Sequence, residues 1–245
     1  MKVTHNNYKH TIRDDLFLSS HATKRDLEFL PRLTGVDDRF IGTRLPEIKR
    51  LAEELIKDNK PEILIPMIIE RLKYHEEKML IADLLGLEKD IDKQLELLDM
   101  FLPYIKSWDI SDSMVCRLRS MIRKHRVVYK KKTKQLLYSE NPWYIRVGLV
   151  MAMDYYKDED VLDMVIDAIK KIDTKTLESE YYLRMGIAWN LATFYLTFPD
   201  KTIDFLNKPV LDLWTRKKSI TKMIESRQID EYTKKELKKI RESLI

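Results

Sequence analysis

Apolar side chains recur at helical spacing along almost the whole of this chain, and no other feature limits its fold so strongly. Between Leu45 and Ile56 they stand at 45, 48, 51, 52, 55 and 56, one stripe of a 3.6-residue helix. Comparable stripes run near 61–72, 76–87, 92–104, 111–124, 127–138, 143–156, 160–170, 178–197, 199–207, 212–225 and 231–244, with two more expected before Thr34. Pro46, Pro61, Pro142 and Pro199 fall at or near the expected helix starts, where a missing N–H costs nothing. Five glycines and eight prolines are too few for the turns of a sandwich or barrel, and no alternating run reads as a strand. The fold class is therefore all-α.

Two architectures satisfy this pattern, a globular bundle and an array of stacked helix pairs. The pair-to-pair spacing is roughly 35–45 residues, that of HEAT-like repeats. Stacked pairs curve and offer a concave face to an extended partner. Strict self-similarity is absent, so spacing alone leaves both open. No Pro-, Gly- or Ser-rich linker divides the chain, and residues 1–245 are expected to form a single domain.

Charge is unevenly distributed. The net charge is +5, but residues 113–139 hold nine basic side chains and no acid, and residues 213–245 hold ten basic against five acidic. The remainder is net acidic by about nine charges. Such local positive fields attract a polyanion, although solvated helix faces are also lysine-rich. Several chemistries drop out: no glycine-rich phosphate loop can be assembled, and the histidines (His5, His10, His21, His75 and His125) form no H-x-x-x-H pair. The single cysteine, Cys116, excludes an internal disulfide and is expected to be a packed thiol. No metal or cofactor is expected. Neither a secretory signal nor a membrane-spanning run is read from the sequence, and a cytoplasmic monomer is expected.

Three segments carry candidate chemistry. In Ser107-Trp108-Asp109-Ile110-Ser111-Asp112 a helix starting near Ser107 places Trp108 and Asp112 on one face, an aromatic plane beside a carboxylate. The competing reading makes Asp109 the N-cap, Asp112 its N3 partner and Trp108 a staple. In Asn141-Pro142-Trp143-Tyr144-Ile145-Arg146, the arginine sits in a first turn that disfavours a cation, so it either pairs with an acid or awaits an anion. In Arg184-Met185-Gly186-Ile187-Ala188-Trp189, Gly186 and Ala188 thin one side of a helix, and Trp189 read alone is a core residue.

Together with Phe40-Ile41-Gly42-Thr43-Arg44-Leu45-Pro46 and Glu76-Glu77-Lys78-Met79-Leu80, these segments resemble, in order, the DNA alkylation repair family of AlkD-like HEAT-like repeat glycosylases, over about residues 40–227. The resemblance implies an α-solenoid that cradles double-stranded DNA. It puts the catalytic carboxylate on Asp112, the aromatic side chains beside the sugar on Trp108 and Trp189, and a backbone-contacting arginine on Arg146. It also implies hydrolysis of the N-glycosidic bond of cationic 7-methyl- or 3-methylpurines. Arg117 and Lys124 of the basic block are candidate DNA contacts. So are Arg216, Lys217 and Lys218, where a polar cap closing the repeat array is the alternative. Residues 30–39 contain no Tyr or Trp, and Ala192 stands where the family usually has a basic residue. These departures keep open a second reading, a non-catalytic binder of damaged, bent or branched DNA. A third, a scaffold for a protein partner, draws on the 11 methionines.

Overall fold

The computed structural model describes residues 2–4 and 6–245, with His10 by its backbone alone, so that His5 lies outside the described residues. Among the described residues there are sixteen α-helices and no strand, apart from an isolated bridge between Arg39 and Tyr74. They form two compact units, Met1–Arg126 and Val127–Ile245.

In the first unit a π-helical turn, Lys9–Arg13, leads into α1 (Asp14–Leu18), followed by α2 (Lys24–Thr34), α3 (Leu45–Leu55), α4 (Pro61–Glu70), α5 (His75–Leu87), α6 (Ile91–Phe101), α7 (Trp108–Arg117) and α8 (Arg119–Lys124). Helices α3, α5 and α7 pack side by side as a row, with α4 and α6 against α5. The second unit repeats the plan. Its helices are α9 (Arg126–Leu137), α10 (Pro142–Tyr155), α11 (Glu159–Lys171), α12 (Thr174–Ser179), α13 (Tyr181–Tyr195), α14 (Pro199–Asn207), α15 (Leu213–Glu225) and α16 (Glu231–Ser243), and α10, α13 and α15 form the row. Helices stacked as neighbouring pairs are the α-solenoid arrangement, which spacing alone had not separated from a bundle.

Burial follows packing. The middle helix α5 is buried from His75 to Leu85 because α3 and α7 flank it, and α10 is buried from Ile145 to Met153 against α13, α11 and the end of α9. Pro46, Pro61, Pro142 and Pro199 each occupy one of the first two positions of a helix, as their spacing predicts. Two expected stripes are each split. The stripe at 111–124 breaks at Leu118, where Arg117 turns to the Asp83 carboxylate and its carbonyl oxygen meets Gly86 of α5. A β-carbon on Gly86 would stand 2.8 Å from that oxygen, so only glycine admits the approach. The stripe at 178–197 begins instead at Tyr181, because Glu180 leaves helical geometry (φ −94°, ψ 83°) and gives α13 its own N-terminus.

Candidate functional site

Helix α7 starts at Trp108, with Ser107 in extended backbone as its N-cap. Asp109 is therefore in the first turn, and the capping-box alternative for Asp109 and Asp112 does not form. Asp109 is drawn instead to α5: its Oδ2 lies 2.7 Å from His75 Nε2, while His75 Nδ1 lies 2.9 Å from Asp38 Oδ2. Lys78 Nζ donates to the same Asp38 oxygen at 2.7 Å, and Phe40 stacks on the imidazole at 4.5 Å. Burial alone would lower the His75 pKa, but the hydrogen bonds to Asp109 and Asp38 outweigh it and lift it to about 9. His75 is thus an imidazolium at neutral pH. Burial likewise pushes both carboxyls up, and bonding to His75 brings them below their ordinary range, with Lys78 adding to the effect on Asp38.

The two segments beside this cluster fit one another. Glu76 accepts the backbone N–H groups of Ile41 (3.0 Å) and Gly42 (2.6 Å), which fastens the Phe40-Ile41-Gly42 segment to the start of α5. Glu77, fully buried, accepts from Tyr8 Oη at 2.8 Å, Arg13 Nη2 at 2.8 Å and the Lys73 N–H at 2.7 Å. Neither glutamate is a solvated helix residue. Both tie loops to a buried helix, which satisfies backbone donors that would otherwise be orphaned.

Trp108 and Asp112, one turn apart on α7, both line a cavity of about 610 Å³ within the first unit. Its apolar wall includes Leu30 and Leu33 of α2, Phe40, and Met79 of α5. Trp108 Nε1 donates to the Leu33 carbonyl at 3.1 Å, pinning the indole against α2. The Ser111 hydroxyl lies 2.8 Å from Asp112 Oδ1 and can donate to it. The predicted pairing of an aromatic plane with a carboxylate therefore exists, at an open cavity.

In the second unit Trp189 is 40% exposed, so it is not the core residue that its helix alone suggested. Arg146 is buried on α10 and donates from Nη1 to the Tyr182 carbonyl at 2.7 Å. Gly186 makes room for it: a β-carbon there would lie 3.2 Å from that nitrogen. At the N-termini of α10, α13 and α15, rings follow one another from Trp143 to Tyr182 (5.8 Å), Tyr181 (5.2 Å) and Trp214 (5.8 Å). The Arg184 guanidinium sits 4.2 Å from the Trp214 ring centre and bonds Asp212 at 2.5 Å. Sequence reasoning missed this aromatic row. Its signal was an aromatic within the first two residues of each of three row helices.

The basic candidates divide. Lys124 is exposed, and Lys217 and Lys218 are half-buried. Arg117 pairs with Asp83. Arg216 corrects the expectation of a phosphate contact: it is buried, and its guanidinium donates to the carbonyls of Leu206 (2.6 Å), Asn207 (3.2 Å) and Ile245 (3.0 Å). Closing the last repeat occupies it. Cys116 also departs from expectation. Met114 and Val115 take the core positions of α7, and the thiol is exposed with Arg119 Nη2 at 3.8 Å. Among the described residues no group of three or more His, Cys, Asp or Glu side chains is placed to hold a metal ion, and no helix is long and apolar enough to cross a membrane.

A family profile described as DNA alkylation repair enzyme matches residues 16–223. A solved structure described as a predicted DNA alkylation repair enzyme from Enterococcus faecalis is similar with a TM-score of 0.65 and 17% identity, covering 85% of this chain and all of that one. At that identity the likeness is one of fold. No curated protein matches the chain. The profile spans most of the sequence, from within α1 into α15, and the chain belongs to the DNA alkylation repair enzyme family, with a role in DNA repair.

Proposed function

We propose that the protein is a DNA glycosylase that hydrolyses the N-glycosidic bond of cationic alkylated purines in duplex DNA. The observation that carries this reading is the pairing of the Trp108 indole and the Asp112 carboxylate, one turn apart at an open cavity. Helix α7 is held there by the Asp109–His75–Asp38 network.

The chemistry asks little of the protein. An alkylated purine already carries positive charge, so its leaving needs no general acid. As the C1′–N bond breaks, the base takes the electron pair and becomes neutral, while positive charge grows on the sugar. Asp112 stabilises that charge and orients a water whose oxygen bonds to C1′, and the water's proton passes to the carboxylate and then to solvent. Trp108 supplies cation–π attraction to the charged nucleotide, and Trp189, exposed on the second unit, is proposed as an aromatic contact of that unit with the DNA. Lys124 of the first unit and Lys217 and Lys218 of the second are proposed to meet the phosphate backbone, whereas the buried Arg146, bonded to the Tyr182 carbonyl, and Arg117, paired with Asp83, are held inside the protein.

Purified protein is incubated with duplexes carrying 7-methylguanine or 3-methyladenine, and released base is measured. Release well above the spontaneous rate is expected. No excess release from either lesion, with salt-sensitive binding retained, would replace this reading with that of a non-catalytic binder of damaged or bent DNA.

A further inference from the structure

We propose that Tyr181 and Trp214 form a stacking platform for unpaired nucleotides, so that the second unit takes up a single-stranded stretch of DNA beside a duplex. This rests on the chain's role in DNA repair, and it stands apart from the glycosylase reading because it needs no bond to be cut.

The four rings at the N-termini of α10, α13 and α15 are unequally covered. Trp143 and Tyr182 are half-buried, as packing between neighbouring helices requires, whereas Tyr181 is 52% exposed and Trp214 38%. Rings of this size gain stability from burial, and two left side by side at a surface mark a place of contact with another molecule. Both are nevertheless held in place. The Arg184 guanidinium packs against the Trp214 ring and is itself fixed, donating to Thr215 Oγ1 at 3.1 Å and to Asp212. Tyr181 meets Tyr182 on one side and Trp214 on the other. Rings already held lose little freedom when a ligand stacks on them.

Helical spacing extends the surface. Tyr181, Met185 and Trp189 recur every fourth residue on α13 and share one face, and Lys217 and Lys218 follow Trp214 by one turn on α15. Of the acids on these stretches, Asp212 bonds Arg184 and Thr215 and Glu225 pairs with Lys222, which sets Glu180 against the two lysines in the balance of charge. Aromatic rings beside lysines favour a nucleic acid over a protein surface, since lysine is depleted where proteins meet. In an intact duplex the base faces are covered by their neighbours, and these rings would meet only sugars and base edges. Unpaired nucleotides present free faces, and base–aromatic stacking accepts any base. The two rings, 5.8 Å apart, take neighbouring bases of an extended strand, and Lys217 and Lys218 take its phosphates.

Fluorescence anisotropy with the whole protein compares three labelled DNAs at one salt concentration: a blunt unmodified duplex, the same duplex with a short thymidine overhang, and the same duplex with an abasic overhang of equal length. The thymidine overhang is expected to tighten binding about tenfold over the blunt duplex. The abasic overhang keeps the phosphates and removes the faces, and should return most of that gain. Tyr181→Ala and Trp214→Ala are each expected to reduce the gain by about fivefold while blunt-duplex affinity holds, and Tyr181→Phe, which keeps the ring, to bind as the wild type does. Equal affinity for blunt and overhung duplexes, a full gain from the abasic overhang, or a full gain in Tyr181→Ala overturns the platform and leaves the exposed rings to a protein partner. Base release from methylated duplexes is measured separately, so either reading can fail while the other stands.

Discussion

At His75 one imidazole satisfies two carboxylates from two different segments, and the chain depends on its charge. Because the folded pKa is raised from 6.5 to about 9, the stabilisation is fully present below the unfolded value and is lost as pH rises through about 9. Its size is on the order of 3 kcal/mol. Urea unfolding of the protein and of His75→Gln should therefore show the largest stability gap near neutral pH and below, narrowing toward pH 9 and above. A gap independent of pH would mean that His75 acts by packing alone. None of this network was legible in the sequence. His75-Glu76-Glu77-Lys78 reads as a polar helix start, yet all four residues are buried, and the partners that permit it, Asp38, Ile41 and Arg13, lie 35 to 64 residues away. Trp108 and Asp112 were legible because their relation is local, one helical turn.

Element positions followed from periodicity wherever a helix presented one apolar face, as in α3 and α11. The misreadings came where tertiary contact overrode it. The break between α7 and α8 arises from the Arg117–Asp83 pair and the close approach at Gly86, neither of which leaves a local mark. Gly86→Ala tests that approach. Its β-carbon would meet the Arg117 carbonyl oxygen at 2.8 Å, and a backbone oxygen cannot swing aside. Overpacking of this kind costs about 1–3 kcal/mol, against about 1 kcal/mol gained from alanine's helix propensity. A net loss of stability, read as a lower urea midpoint, is expected. A raised midpoint would show that α5 and α7 have room to separate.

For the whole molecule, charge distribution was readable from the sequence in sum but not in detail. The basic block does carry exposed cations in Arg123, Lys124 and Lys131, while Arg117 and Lys130 are paired with Asp83 and Asp160. At the last repeat three adjacent basic residues have two different fates, and variants should separate them. Replacing Lys217 and Lys218 by alanine should weaken duplex binding across sequences and reduce the slope of log affinity against log salt by about 1–2. Stability should change little. Arg216→Ala should instead leave the slope unchanged and cost roughly 2–4 kcal/mol of stability, because three carbonyls lose a buried charged donor. The reverse pattern would return Arg216 to the DNA surface.

The most direct measurement is single-turnover base release from a 7-methylguanine duplex by the protein and by Asp112→Asn, with duplex affinity determined for both. A carboxylate that acts on charge developing at the sugar contributes to the transition state and little to the ground state. Release should fall by about 100-fold or more with affinity changed by no more than about twofold. Release at the wild-type rate by Asp112→Asn would contradict the assignment of this side chain as the catalytic group.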